Sequence, residues 1–598
     1  MVRTRRWLAA GAGAVAAALV VTACGSGEGS GSGPGDEGEP VKGGTLNMLG
    51  VGDVDYMDPN ISYYSAGYTV LRLWSRQLFT YPAVEGGTTE EVPDLATEMP
   101  TTDNGGISED GKTYTIRIQP DAAWNTSPKR TVTADDVVRG VKRTCNPAQP
   151  FGGLPNYVDL IVGLAEFCSG FEKVDPTPQA IASYIDGNDV AGVTAKDEKT
   201  VVFTLAHPAP YFTGILTLTA MSPAPKEFLE YTPASAELGQ HTISDGPYKI
   251  DSYQPTKEIT LSRNPAWVAS SDPVRKAYVD KVVVSESGNQ NSILQQLQTG
   301  TPSADMQFDI AVPPAQLPKL VSAKDPNLTL GVTSSSGPYV IFNTVSPNNA
   351  RALSKVAVRQ ALSHAIDRSH LVQVLGGEKV NPPLTHVLPS TLLGSEEFDL
   401  YPHDVTKAKQ LLAQAGYPNG LTLTVLYRNK SEGQSKVFQT LQGDLKEVGI
   451  TVKGLQAQQA DFYTKYLQVP AVAKRGEWDI AMSSWGSDWY GNAALSFFKP
   501  LFSGKSSFPP VGSNFGFYDN PTTNVLIDEA SKAATDEDAK KLWAAADKQT
   551  MKDAPIYPIT NALWPTYKAS QVHHGVYIPV LQSLDPANVW LEKGKQGG

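Results

Sequence analysis

Between Gly416 and Val452 the residue pattern changes period twice. Leu421, Leu423 and Val425 alternate as in a strand, Val437 to Val448 repeat with helical spacing, and Gly449-Ile450-Thr451-Val452 open a second strand. Such a β-α-β unit expects a right-handed crossover between parallel strands. Strand and helix signals interleave in the same way elsewhere, without a fixed repeat. Thr113 to Ile118 place Tyr114, Ile116 and Ile118 on one face of a strand. Thr133 to Arg143 open with a capping Thr followed by Asp135 and Asp136, as a helix start does. Val356 to Val374 and Thr406 to Ala415 read as helices, the second stopped by Gly416. A last helix spans about Asp536 to Lys552, followed by Pro-punctuated extended segments through Trp590. The pattern is mixed α/β, and a chain of 598 residues exceeds one hydrophobic core, so two or three lobes are expected.

Arg3, Arg5 and Arg6 precede a short apolar run from Trp7 to Thr22, with Val21-Thr22-Ala23 before Cys24. That run is too short to span and stay in a bilayer, and residues 1–23 read as an export signal, by a general or a twin-arginine route. Cys after such a core resembles the bacterial lipobox, which implies that Cys24 becomes the lipid-modified first residue of the mature chain. The Gly/Ser/Glu-rich stretch within 24–42 then serves as a flexible tether to the membrane. Cys145 and Cys168 lie beyond export, where disulfides persist, and are expected to pair; two buried free thiols are the alternative. No second membrane span follows. A net charge of −11 without a basic stripe argues against nucleic acid.

Motifs for catalysis are absent. The sequence holds no His-Glu-x-x-His pair and no Gly-x-Ser-x-Gly elbow, and only His573 and His574 are adjacent among its eight His residues. Gly504-Lys505-Ser506 lacks the Gly and the strand that a phosphate loop needs, because Lys499 and Phe497-Phe498 stand there. No enzyme activity, cofactor or metal site is expected.

Seven blocks occur in one order: Gly43-Gly44-Thr45-Leu46 with Asp58-Pro59; Pro93-Asp94-Leu95-Ala96; Asp110 to Ile118; Thr133-Ala134-Asp135-Asp136 with Lys142-Arg143; Asp245-Gly246-Pro247-Tyr248 with Arg263-Asn264-Pro265; Val358 to Leu362 with Ala365 to Arg368; and Ala408 to Tyr417. Together they resemble the oligopeptide and dipeptide class of extracellular solute-binding proteins of ABC importers, solute-binding protein family 5. The resemblance implies a periplasmic-binding-protein-like α/β fold of three lobes with a ligand cleft between the first and third. Mapped here, lobe I would comprise 43–92, 222–336 and 561–598, lobe II 93–221, and lobe III 337–560. It further implies a monomer that captures a peptide by hinge closure and passes it to a permease and an ATPase, outside the cytoplasm.

The resemblance also points to the ligand. In peptide-binding members a Trp-x-x-Asp segment supplies the carboxylate for the peptide's α-amine, and Trp485-Gly486-Ser487-Asp488-Trp489 fits it. Asp488 is the candidate anchor, with Trp485, Ser487 and Trp489 beside it; capping of a following helix or turn is the alternative role of Asp488. Tyr339, Phe342 and Asn343 match the stretch entering the third lobe, and Tyr63 and Tyr64 lie where the first lobe offers cleft residues. For these aromatics core packing competes with ligand contact. Arg428 reads as a solvated loop residue rather than a receiver for a peptide carboxylate. Alternative ligands on the same fold are an oligosaccharide stacked on Trp485 and Trp489, an opine or a nickel chelate; a surface peptide sensor is the alternative role.

Overall fold

The computed structural model describes residues 39–533 and 535–595. The export segment, Cys24 and the linker up to residue 38 lie outside the described residues.

The β-α-β unit forms as its periods require. The strand Thr422–Arg428, the helix Glu432–Glu447 and the strand Thr451–Ala457 follow in order, and the two strands pair in parallel with Leu423 opposite Val452. The helix starts about a turn earlier than its apolar spacing shows, because the Ser431 side chain accepts from the Gln434 N–H and caps it. Val437, Leu441 and Leu445 are buried, each such side chain contributing about 1.5–3 kcal/mol to folding. At the entrance to the unit, a Cβ on Gly420 would lie 1.8 Å from the Gly449 carbonyl oxygen, so the turn admits only glycine there.

This unit is one edge of a five-stranded mixed sheet in the order Thr451–Ala457, Thr422–Arg428, Ile480–Gly486, Ser335–Phe342, Ile556–Pro558. Ser335–Phe342 runs antiparallel to both of its neighbours, with Ser335 opposite Gly486 and Phe342 opposite Ile480. A second five-stranded sheet has the order Met306–Gln307, Thr45–Leu49, Lys281–Ser285, Glu258–Arg263, Tyr248–Gln254. Thr45–Leu49 lies parallel to both of its partners, so segments far apart in the chain build this sheet.

A third sheet is antiparallel, with Thr113–Arg117, Thr200–Thr204 and Val193–Asp197 side by side. Tyr114 and Ile116 turn inward as their alternation requires. The helix Ala134–Arg143 packs on it and begins with a capping box: Thr133 accepts from the Asp136 N–H, and the Asp136 carboxylate accepts from the Thr133 N–H. A disulfide joins Cys145, just past this helix, to Cys168 in the helix Leu164–Phe171.

One expected helix is two. Val356–Ala365 ends at Ile366, which is extended, and Arg368–Val374 begins afresh with Asp367 as its cap. The apolar spacing runs through the break, but the Asp367 side chain accepts from the Ser369 N–H and its own N–H donates to Asp444, which holds the backbone out of the helix.

Charged residues from the sequence blocks hold the interior. Arg76 and Arg275 share the Asp94 carboxylate at 2.8 and 2.9 Å, with Asp272 completing a wholly buried group. Arg143 pairs with Asp58 and donates to Asn60 at 3.1 Å.

Candidate functional site

The loops that leave the two five-stranded sheets face each other across a partly open cavity of about 280 Å³. After Thr45–Leu49 the chain delivers Asp55, Tyr63, Tyr64 and Tyr68, and after Met306–Gln307 it delivers Asp309. The opposite wall carries Arg428 at the end of its strand, Gln459 and Tyr463 beyond the next strand, and Trp485, Ser487 and Asp488 at and beyond the end of Ile480–Gly486.

Asp488 joins three parts of the chain. Its Oδ2 accepts from the Tyr63 hydroxyl at 2.7 Å and from Asn156 Nδ2 at 3.0 Å, residues that lie 425 and 332 positions away. Asp488 is half-buried and lines the cavity. Burial pushes its carboxyl up to about 7, against the two hydrogen bonds, which favour the ionised form. The helix that follows, Leu495–Phe502, has Ala494 at its cap position, so Asp488 is not that helix's cap. Trp485 stands beside it with its indole N–H donating to the Ser496 carbonyl at 2.9 Å and the Tyr63 ring edge-on at 5.4 Å. Ser487 lines the same wall, its N–H held by the Ser334 carbonyl at 2.9 Å.

Other contacts close the same gap. Gln459 donates to the Tyr64 hydroxyl, Lys430 Nζ donates to the Val51 carbonyl at 3.1 Å, and the Glu432 N–H donates to Gln290 Oε1 at 3.2 Å. The walls are thus held together by direct hydrogen bonds around the cavity.

Three expected ligand residues do not reach the cavity. Tyr339 and Asn343 lie along and past Ser335–Phe342, and the antiparallel register puts the start of that strand, not its end, beside Gly486. Ser335, Gly337 and Pro338 therefore line the cavity, while Tyr339 is buried in the sheet. Asn343 Nδ2 donates to the Ala473 and Trp478 carbonyls at 2.9 and 2.8 Å, which ties down the far end, where Phe342 is also buried. Trp489 turns away from Asp488 and is fully buried, stacked on Tyr211 at 6.2 Å.

Arg428 is the converse case. It is the last residue of a strand and is 8% exposed, with its guanidinium 4.3 Å from the Phe462 ring centre and 5.1 Å from that of Tyr463. Its charge is kept despite burial by Tyr463, Tyr64 and Asp309 nearby. Asp309 Oδ1 accepts from the Val51 N–H at 2.8 Å, and burial pushes this carboxyl up to about 6. Asp55 accepts from the Ser62 hydroxyl and the Tyr63 N–H at 2.7 and 2.6 Å, and burial pushes it up to about 6 as well. Asp55, Tyr68, Asn156, Asp309, Gln459 and Tyr463 carry no local sequence signal beyond the nearness of Asp55 and Tyr68 to the Asp58-Pro59 block.

Two walls carried by separate sheets and meeting around a largely apolar, aromatic chamber set with a few charged groups have the form of a site that holds a small solute. The family model described as bacterial extracellular solute-binding proteins, family 5 (middle), matches residues 90–509. The chain belongs to that family. It is 27% identical over 464 residues to the glutathione-binding protein GsiB of Escherichia coli O1:K1, covering 76% of this chain and 78% of that protein. Among solved structures it resembles the periplasmic binding protein DppA of Helicobacter pylori in complex with the peptide STSA, with a TM-score of 0.73 at 23% identity over 92% of this chain and 99% of that one. It also resembles Haemophilus influenzae OppA complexed with RPPGFSPFR, with a TM-score of 0.73 at 21% identity over 92% of this chain and 100% of that one.

Proposed function

We propose that this protein captures short peptides outside the cytoplasm and delivers them, without chemical change, to the permease and ATPase of an ABC importer. The acylated Cys24 tethers it to the membrane, and it acts as a monomer. Its lobes run as 43–92 with 222–336 and 561–598, 93–221, and 337–560, and they close over the ligand.

The observation that carries this reading is the Asp488 carboxylate, set in the cavity wall and held by side chains from two other segments. A peptide ammonium there meets a charge-assisted acceptor and the ring faces of Tyr63 and Trp485. Arg428 supplies the opposite charge on the same wall, suited to the ligand's carboxylate. Because Asp488 and Tyr63 stand on opposite walls and bond to each other, an ammonium bound there touches both walls and stabilises the closed state in preference to the open one.

Calorimetric titration of the mature protein with Ala-Ala and with its N-acetylated form tests this. Binding should vanish on acetylation, and Asp488→Ala should weaken it by about 2–5 kcal/mol, most of that from a ligand charge left buried without a partner. Equal binding of the acetylated peptide would refute the anchor.

A further inference from the structure

The charged side chains on the cavity wall are three carboxylates, Asp55, Asp309 and Asp488, against one guanidinium, Arg428. The imbalance is not relieved within the wall. Asp55 is served by a hydroxyl and a backbone N–H, and Asp488 by a phenol and an amide, all of them neutral donors. Asp309 accepts from the neutral Val51 N–H on Oδ1, while its Oδ2 has no hydrogen-bond partner within bonding distance among the described residues. Arg428 is shared between Asp309 and the rings of Phe462 and Tyr463. Neutral donors stabilise a carboxylate but do not cancel its field, and in a site of low dielectric that field is weakly screened.

Asp55 and Asp488 stand at the two ends of Tyr63, one accepting from its N–H and the other from its hydroxyl. The cavity that takes the ligand's amine at Asp488 thus carries a second carboxylate about one side chain's length away. Tyr63 and Tyr68, whose ring centres are 6.5 Å apart, line the same cavity.

We infer that the cavity selects cationic peptides, with a basic side chain on the first residue received by Asp55. The inference rests on the peptide reading and narrows its substrate class. It separates this protein from the ligand named for its relative GsiB: glutathione carries two carboxylates against one amine and would add negative charge to a wall already rich in it. Asp55 is here a specificity residue, distinct from the anchor Asp488.

The test is a titration series with Lys-Ala, Ala-Ala, Glu-Ala and glutathione on the wild-type protein, repeated on Asp55→Asn. Lys-Ala should bind at least about tenfold tighter than Ala-Ala, and Glu-Ala and glutathione at least about tenfold weaker, as like and unlike charges in a site of low dielectric require. In Asp55→Asn the advantage of Lys-Ala over Ala-Ala should fall away, with a cooperative thermal unfolding transition like that of the wild type reporting that the variant is folded. If Ala-Ala binds and loses binding on acetylation, yet the four ligands agree within about twofold, the charge selection is overturned and the peptide reading stands. A Lys-Ala preference that persists in Asp55→Asn overturns the assignment to Asp55. Binding of none of the peptides overturns both readings.

Discussion

Tyr63→Phe removes a single oxygen atom from the cavity wall. The Tyr63 hydroxyl donates to Asp488 Oδ2 at 2.7 Å, and the ring, which packs on Phe151 at 4.6 Å and against Trp485, is kept by the substitution. A hydrogen bond to a charged acceptor contributes about 1.5–3 kcal/mol, so affinity for a peptide with a free amine should fall by about 10- to 150-fold at neutral pH. The pH dependence carries the diagnostic. Asp488 binds an ammonium only when ionised, and burial holds its carboxyl at about 7, so wild-type affinity is present above that pH and lost as pH falls through it. The peptide's own amine deprotonates near pH 8, giving a falling alkaline limb that belongs to the ligand. The hydroxyl favours the ionised carboxylate, so its loss raises the Asp488 pKa and moves the acid limb by about one unit or more toward alkaline pH, leaving the alkaline limb in place. Calorimetric titration across about pH 6 to 9 reads both limbs. An acid limb that does not move, or an affinity within about twofold of wild type, would refute the view that Tyr63 completes the anchor when the walls close.

Two further outcomes follow from the same contacts. Asp94→Ala strands Arg76 and Arg275 in the interior and should lower stability by about 3–5 kcal/mol in chemical denaturation; a loss under about 1 kcal/mol would mean that the buried group is not a structural keystone. Arg428→Met keeps apolar contact with Phe462 but removes the guanidinium, so binding of Ala-Ala should weaken by at least about tenfold, while its C-terminal amide should bind wild type and variant alike; equal weakening of both ligands would deny Arg428 the carboxylate.

The local elements were legible because their signals are local. The alternation of Tyr114 and Ile116, the Thr133 cap answered by Asp136, and the paired periods from Leu421 to Val452 each act within a few residues, and each element formed. Even the failure at Asp367 is instructive, since the helical period persisted while a side-chain cap and a distant carboxylate, Asp444, decided the break. Short motifs also led to Trp485, Ser487, Asp488, Tyr63 and Tyr64, all of which line the cavity.

What the sequence by itself determined, then, is the succession of strands and helices and the motifs that mark the family. Which end and which side of each strand meets the ligand was decided by tertiary structure alone. Register placed Tyr339 and Asn343 at the wrong end of their strand, packing turned Trp489 onto Tyr211, and the aromatic pair Phe462 and Tyr463 drew Arg428 out of solvent. The partners of Asp488 come from segments hundreds of residues away, Asp55 reaches the same cavity on the segment that carries Tyr63, and Asp309 reaches it from yet another loop. Periodicity records which residues share a face of one element; it holds no information on which faces of separate sheets close on each other, and that juxtaposition sets the charge of the cavity.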